Sequence, residues 1–315
     1  LSMDRQLWTA NPHLVDAAVR EGIVQIVLAP IRWEGGLIGV LLLATKDPDA
    51  VKTDESRFAH FEELGSYAGS LFGAQAIEYQ NAEIKRAEID AVIAEQRFFP
   101  VFQPLVNLTT GDVVGFESLT RFSDGVSPDH RFGDARAVGR ASELESACAR
   151  AALSAATDLP ANAFVTVNFS PSCLLDGQAE LAVRGSERPV VIEITEHARV
   201  VDYTELRTAI DRIEGVRLAV DDAGAGYTSL SHILELRPDF VKLDISLVRD
   251  IDTNPARQAM VAGICHFAIQ SHTIIVAEGV ESEAEAATLR DLGVTLGEGS
   301  MLGQGYFFGR PSPVH

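Results

Sequence analysis

The sequence predicts an α/β protein whose main body is built on a largely parallel β-sheet. From Phe98 onwards, short apolar β-branched segments alternate with segments of helical periodicity, the order that βαβ units require. Most of the short segments are apolar throughout, as strands covered on both faces are. A closed barrel and an open doubly wound sheet both fit these observations. In front of this body, two extended runs and then a helix predict a small α+β segment.

Composition and charge narrow the class of protein. Of the 315 residues, 46% are hydrophobic and 23% are charged, which is typical of a folded chain with a large core. The net charge of −19 argues against a nucleic-acid polymer as partner, because a phosphate backbone is bound by clustered Lys and Arg. A small phosphorylated substrate is still compatible with this charge if local cations or metal ions offset the acidic background.

Cysteine usage and the lengths of the apolar runs predict a cytoplasmic protein. Cys148, Cys173 and Cys265 form neither a metal motif nor a disulfide framework, so a reducing compartment is the simplest interpretation. No apolar run reaches the roughly 18 residues needed to cross a bilayer. The first residues do not have the pattern of a signal peptide, and the start at Leu1 leads us to expect a fragment.

The first predicted element is a β-hairpin. Two extended runs, at 23–31 and 37–45, flank Trp33-Glu34-Gly35-Gly36, which is a turn signal. The apolar run from Leu37 to Ala44 predicts that the second strand is buried.

A long helical region is predicted next. From Ser56 to Ala76, apolar residues recur every three or four positions, which marks one buried helix face. Segment 77–96 continues with charged residues and good helix formers, and its Ile77, Ile84 and Ala91 are seven residues apart. This short heptad fits a dimerising linker, and a solvated connector helix fits equally well.

The remaining elements alternate between strand and helix. The predicted strands are 101–108, 113–122, 164–170, 190–196, 216–222, 239–246 and 273–281. The clearest helical stretches between them are 135–157 and 256–270.

The predicted strands begin apolar and end in acids or amides. These polar residues are Glu117, Asn168, Glu193, Glu196, Asp221, Asp222, Asp244, Glu278 and Glu281. In parallel α/β folds the strand carboxyl ends meet at one face, so these acids would repel one another unless cations neutralise them. Oxygen ligands without His select hard ions such as Mg²⁺, Mn²⁺ or Ca²⁺, and neighbouring carboxylates suit a two-metal site for displacement at phosphorus.

Two basic residues lie among these acids. Lys242 could orient an attacking water or stabilise phosphate charge, and the Arg121 guanidinium suits bidentate phosphate binding. Any single acid in the set could instead be a helix N-cap in a loop. The prediction of a metal site therefore depends on the set.

Seven ordered motifs resemble those of EAL-domain cyclic di-GMP phosphodiesterases. They are FQPLVNLTTGDVVGFESLTRF (102–122), VNFSP (167–171), EITE (193–196), DDAGAGYTSL (221–230), PDFVKLD (238–244), AEGVES (277–282) and GQGYFFGRP (303–311). The resemblance implies a modified TIM (β/α)8 barrel with one antiparallel strand. It also implies metal-dependent hydrolysis of cyclic di-GMP to linear pGpG, with two Mg²⁺ or Mn²⁺ ions per site. We expect Ca²⁺ to bind and to inhibit, because its looser geometry fixes the nucleophile poorly.

The resemblance also implies a role for each matched residue. The implied metal ligands are Glu117, Asn168, Glu193, Asp221 and Asp222, with Glu278 at the second metal or the catalytic water. The implied catalytic residues are Lys242, which positions or activates that water, Glu278, Glu281, which steadies the loop after Asp222, and Gln304, which lies near the nucleophile. The implied substrate-binding residues are Arg121, Gln103 and Leu119.

Three departures from the family pattern stand out. The family triplet reads Glu117-Ser118-Leu119, which leaves the ligand intact. Ala223 stands where the family usually has an aromatic residue, which is expected to alter the loop between the site and the family's dimer interface. A short insertion at 298–303 precedes Gln304 and bears on where that residue lies.

The resemblance completes the predicted domain organisation. Residues 1–76 resemble part of a GAF sensor domain, 77–97 form a linker helix, and 98–315 form the barrel. A homodimer through the barrel and the linker helix is expected, with no membrane segment in this chain. The leading function is the phosphodiesterase. The alternatives are an inactive cyclic di-GMP receptor that signals through the N-terminal segment, and an interaction module with a relic site.

Overall fold

The computed structural model describes residues 20–47, 55–195, 200–223, 227–295 and 301–314. The chain divides into two units, Leu1–Ile84 and Lys85–His315. In the described ranges no helix is both long and apolar enough to span a membrane.

The first unit contains the predicted β-hairpin. Strands β1 (Gln25–Trp33) and β2 (Gly36–Thr45) pair antiparallel. The turn between them has positive φ at both central residues, 47° at Glu34 and 83° at Gly35. This conformation matches the right-handed twist of the flanking strands, so the turn signal in the sequence is confirmed.

Burial of the second strand was predicted wrongly. Leu37, Val40, Leu42 and Leu43 of β2 are each about half exposed, between 48% and 60%. A sheet of two strands has no neighbouring strands to cover it, so an apolar run in it is not enclosed as a central strand of a parallel sheet would be.

A single helix, α1 (Glu55–Ala94), spans the predicted helical region, in which the second segment was expected to continue the first. Gly65, Gly69 and Gly73 share one face of it and lie against β1, where a side chain at Gly69 would overlap the carbonyl oxygen of Arg32. The last turns of α1 belong to the second unit, where Ile89 and Val92 are fully buried.

The second unit is a closed eight-stranded barrel with helices outside. Its strands are β3 (Phe98–Asn107), β4 (Val113–Phe122), β5 (Phe164–Asn168), β6 (Val190–Thr195), β7 (Val216–Ala223), β8 (Phe240–Leu243), β9 (Ile274–Ala277) and β10 (Leu302–Gly303). Its helices are α2 (Pro128–Ala137), α3 (Ala141–Ala155), α4 (Pro171–Leu175), α5 (Gln178–Val183), α6 (Tyr203–Asp211), α7 (Tyr227–Leu236), α8 (Ile245–Val248), α9 (Pro255–Ser271) and α10 (Glu283–Thr295). The predicted helix 135–157 is two helices, because the chain turns at Gly139, where φ is 68°.

The strand order is β10-β3-β4-β5-β6-β7-β8-β9, and the ring closes between β9 and β10. Strand β3 runs antiparallel to both β4 and β10, and the other neighbours in the ring are parallel. A modified (β/α)8 barrel with one antiparallel strand is therefore confirmed, and the open sheet is excluded.

Candidate active site

The barrel interior holds an apolar layer that determines where the polar side chains lie. Seven interior residues from seven strands pack together: Leu105, Phe164, Val191, Ala219, Phe240, Val276 and Leu302. The eighth strand contributes Gly115, whose missing side chain leaves room for the Phe164 ring. This layer closes the middle of the barrel against water.

A polar layer lies two residues further along almost every strand. Side chains two apart on a strand point to the same face, so the residues that follow the apolar layer also face the interior. They are Glu117, Thr166, Glu193, Asp221, Lys242, Glu278 and Gln304, and on the reversed strand β3 the corresponding residue is Gln103. The register of the strands therefore places all of these residues in one layer, although Gln103 and Gln304 are 201 positions apart in the sequence.

Lys242 lies at the centre of this polar layer. Its Nζ is 2.6 Å from Glu278 Oε1, and 3.2 Å from both Glu193 Oε2 and Asp221 Oδ1. Glu117 Oε1 is 3.6 Å away. Lys242 and Glu193 are each only 1% exposed, so a buried ammonium faces four carboxyl groups that come from four different strands or the residue directly after one.

Glu117 is also held by the side-chain amide of Gln304, which Gln103 contacts in turn. Gln304 Nε2 donates to Glu117 Oε2 and, at 3.1 Å, to Gln103 Oε1. Gln103 Nε2 in turn donates to the Gly309 carbonyl at 3.1 Å. Gln304 thus reaches the site although it follows the predicted insertion at 298–303, of which residues 298–300 lie outside the described residues.

Asn168 ends β5 beside the same carboxylate. Its Nδ2 is 3.5 Å from Glu117 Oε1, and its side chain is exposed at the barrel mouth. Asp222 lies on β7, but its side chain is outside the described residues, as is all of Glu196. The positions of these two carboxylates therefore stay predictions.

Burial and like charges shift the pKa values of the cluster. Burial raises the pKa of Glu193 well above its usual range, and Glu117, Asp221 and Glu278 add to this although Lys242 opposes it. Burial likewise raises the pKa of Glu278 to about 8. Burial lowers the pKa of Lys242, but the four carboxylates outweigh it, so the net pKa is raised well above the ordinary value. The ammonium is a fixed positive charge at neutral pH.

The donor set fits a hard divalent cation. It consists of carboxylate and amide oxygens without Cys or His, which is the preference of Mg²⁺ and Mn²⁺. Three buried polar atoms in this layer, Thr166 Oγ1, Glu193 Oε1 and Gln304 Oε1, have no hydrogen-bond partner in the described part of the chain. In that same part, no three acidic, Cys or His side chains already surround an open metal position, because the carboxylates point at Lys242.

Three other predicted residues lie outside this cluster. Leu119 and Arg121 lie two and four residues after Glu117 on β4 and therefore share its interior face. Arg121 Nη1 donates to the Thr120 carbonyl at 2.8 Å. Glu281 pairs with Arg249 at 2.7 Å, while part of the loop after Asp222, at 224–226, is outside the described residues. Their predicted roles are therefore not tested by these contacts.

The acids at strand ends do not all serve the site. Asp244 accepts a hydrogen bond from the Ser246 amide at the start of α8, which is the helix N-cap alternative for this residue. Glu145 on α3 was not predicted, although it binds the backbone two residues after Asn168. Its signal in the sequence is an acid on an apolar helix face.

Comparison with known proteins places this geometry in a family. A family model described as "EAL domain" matches residues 83–311. An uncharacterized protein of Mycobacterium tuberculosis is 32% identical over 231 residues, which are 68% of this chain and 36% of that protein. An Escherichia coli protein named cyclic di-GMP phosphodiesterase PdeF is 27% identical over 265 residues, which are 78% of this chain and 34% of that protein. The chain thus spans little more than a third of these relatives.

A solved structure gives the same likeness in three dimensions. Klebsiella pneumoniae BlrP1, in a complex with manganese and cyclic di-GMP, is 30% identical with a TM-score of 0.60. The likeness covers 69% of this chain and 56% of that chain. Another structure of the same protein is a complex with calcium and cyclic di-GMP.

Proposed function

The chain belongs to the EAL domain family, whose model it matches over residues 83–311, and on this premise we propose that it hydrolyses cyclic di-GMP to linear pGpG. The observation that carries the proposal is the convergence of Glu117, Glu193, Asp221 and Glu278 on Lys242. An acidic rim with one buried cation suits a reaction that needs metal ions and a held water molecule.

The residues that would hold divalent ions are those with oxygen donors at the rim. They are Glu117, Asn168, Glu193, Asp221, Asp222 and Glu278. When bound, Mg²⁺ or Mn²⁺ would neutralise charge on the phosphate and lower the pKa of water. PdeF and BlrP1 support this choice of substrate and of divalent ions through their names and complexes.

The chain's own side chains supply positioning and charge. Lys242 Nζ, fixed among the carboxylates, would donate to the attacking water or to a phosphate oxygen. Gln304 fixes Glu117 through its amide. Arg121, on the same face of β4 as Glu117, would bind the phosphate.

The reaction balances without a redox partner. An oxygen atom from water bonds to phosphorus, and the bond between phosphorus and the ribose 3′ oxygen breaks. One proton passes from the water to that 3′ oxygen. The product keeps the phosphate on the 5′ side and is linear pGpG.

The test is turnover of cyclic di-GMP with Mg²⁺ or Mn²⁺, followed by separation of the nucleotides, with and without a chelator. We expect pGpG that disappears with the chelator, and loss of turnover in Glu117→Ala. Glu180→Ala removes a helix-surface carboxylate that pairs with Arg184 and is the matched control. Tight binding without turnover would favour a receptor, and absence of binding would favour an interaction module; either result overturns the proposal.

A further inference from the structure

Glu145 is a buried carboxylate near the site, and the contacts within the Lys242 cluster do not involve it. This residue lies on α3, only 8% exposed, between the buried Leu144 and Ser146. Its Oε2 accepts hydrogen bonds from the Ser170 backbone amide at 2.9 Å and from the Ser170 hydroxyl at 2.8 Å. No ion pair of Glu145 is found in the described ranges.

A buried carboxylate without an ion pair is costly to maintain. Burial raises the pKa of Glu145, and the Ser170 hydrogen bonds partly oppose that shift. Helix α3 is otherwise rich in Ala, and burying an apolar residue at this position would cost less free energy than burying a carboxylate. What only a hydrogen-bond acceptor provides is a bond to the backbone amide of Ser170.

That amide belongs to the short turn that carries Asn168. The amide of Phe169 donates to the Glu193 carbonyl on β6 at 3.0 Å. The next amide, of Ser170, donates to Glu145. Both amides after Asn168 are therefore held, one by the neighbouring strand and the other by α3.

The hydroxyl of Ser170 extends the same arrangement. It accepts a hydrogen bond from the Cys173 amide at 3.4 Å and caps the start of α4. Ser170 thus joins Glu145 to the helix that follows the turn. The turn has little freedom to rotate while these bonds are intact.

Asn168 depends on this turn for its direction. Its side chain is exposed, and the 3.5 Å contact with Glu117 is long for a hydrogen bond. The side chain's own contacts are therefore too weak to fix it, and its orientation follows from the backbone.

We propose that Glu145 is a positioning residue, which aims the Asn168 amide into the site by holding the backbone of Ser170. The proposal rests on the proposed function only where turnover is measured. Outer partners of this kind typically change metal affinity or activity by about 10- to 100-fold when removed.

The first test needs neither metal nor substrate. The side-chain amide resonance of Asn168 is assigned in ¹⁵N-labelled protein by its loss in Asn168→Ala. We expect it to shift in Glu145→Ala and Ser170→Ala, and less in Glu145→Gln, whose side-chain oxygen still accepts from Ser170. Glu143→Ala removes an acid of the same helix that pairs with Arg140 and should leave the resonance in place. An unchanged resonance in both Glu145→Ala and Ser170→Ala overturns the proposal.

The second test asks whether Glu145 acts through Asn168. Mn²⁺ affinity is measured by calorimetry and turnover by pGpG formation, for Glu145→Ala alone and in the Asn168→Ala background. We expect a loss of about tenfold in the first case and less than twofold in the second, because the group being aimed is gone. Equal losses in both backgrounds would mean a general structural role. If the wild-type protein lacks turnover, the proposed function fails, whereas the resonance still decides the role of Glu145.

Discussion

Lys242 Nζ lies 2.6 Å from Glu278 Oε1, and this contact is one of four that the same ammonium makes with carboxylates. One ammonium faces four carboxyl groups in a buried layer. Burial and this imbalance raise the pKa values of Glu193 and Glu278, so the cluster retains a strong attraction for further cations. The same imbalance makes Lys242 necessary for the metal-free fold.

Replacing Lys242 by Met is therefore expected to destabilise the metal-free protein. Removing one partner from a buried ionic group leaves uncompensated charge, which costs about 3–5 kcal/mol. Urea unfolding in the presence of a chelator should reveal this loss in the free energy of unfolding. Added Mn²⁺ should recover part of it, because the ion replaces the missing positive charge.

The same variant should lose turnover by about 100-fold or more, as expected for removal of a buried electrostatic group. The matched control is Lys46→Met, since Lys46 is 68% exposed and pairs with Glu21 on the surface. Unfolding of Lys242→Met in chelator that matches the wild type would show that the four carboxylates do not need the ammonium.

Gln304 provides a test in which the more conservative change does more harm. Gln304→Glu keeps the size of the side chain, but it puts a carboxylate where the amide donates to Glu117. Gln304→Met loses the hydrogen bond without adding charge. Because like charges repel in a buried site, we expect turnover to fall by about tenfold in Gln304→Met and by clearly more in Gln304→Glu.

Steady-state kinetics at saturating substrate and metal would measure this order. Gln258→Glu is the matched control, because Gln258 Nε2 donates to the carbonyl of Ile251 and not to a carboxylate. The reverse order, with Gln304→Met the slower enzyme, would contradict the assigned direction of the amide.

The sequence predicted the strands of the barrel better than its closure. Strands β3 to β9 each carry enough apolar residues to be recognised, although several are shorter than predicted. Closure depends on β10, which is only Leu302–Gly303, too short to show any periodicity. The residues alone therefore left barrel and open sheet undecided, and the family resemblance was needed to choose.

The site was predictable where an acid ends a strand, because strand ends converge in a parallel sheet. The hydrogen bond between Gln304 and Gln103 was not predictable, since these amides are far apart in the chain and have no local signal. Glu145 was missed for a related reason: its partner, Ser170, lies on another element. Contacts between elements depend on packing, which periodicity does not describe.

Arg131 of α2 joins the end of α1 to the loop after β4, and its removal should cost stability. It is 2% exposed, pairs with Glu88 at 2.5 Å and with Asp124, and its guanidinium lies 5.6 Å from the Phe122 ring centre. Glu88 and Asp124 are 52% and 34% exposed, so water solvates them once the cation is gone. For Arg131→Met we therefore expect a loss of about 2 kcal/mol in the free energy of unfolding, because two charge-assisted hydrogen bonds and the ring contact are removed.

Lys85→Met is the comparison for Arg131→Met. The Lys85–Asp134 pair joins the same two helices, but the lysine is 41% exposed, so its loss should cost no more than about 1 kcal/mol. Both are measured by urea unfolding. Similar losses in the two variants would show that burial of Arg131 does not determine its contribution.

Glu285 should make stability depend on pH through the loop that follows Glu278. Its carboxylate accepts hydrogen bonds from the amides of Asp250 at 2.9 Å, Glu281 at 2.9 Å and Ser282 at 3.0 Å. Burial raises the pKa of Glu285, but these backbone donors outweigh it, so the net pKa is below the ordinary 4.5. The folded state therefore prefers the ionised form.

A carboxyl whose pKa is lowered by folding stabilises the folded state at pH values above its unfolded-state pKa. This stabilisation is lost as the pH falls through the folded-state pKa. At pH 7, the free energy of unfolding of Glu285→Gln should be about 1–2 kcal/mol lower than that of the wild type. A neutral amide is a weaker hydrogen-bond acceptor than a carboxylate and has one acceptor oxygen in place of two. The difference should shrink as the pH falls below the ordinary 4.5 and through the lowered pKa of the folded wild-type carboxyl. Urea unfolding of both proteins across this range measures the difference, in which acids common to the two cancel. Glu283→Gln, a first-turn acid of the same helix, is the control, and a constant difference for Glu285→Gln from pH 7 to pH 3 would show that ionisation of Glu285 does not stabilise this loop.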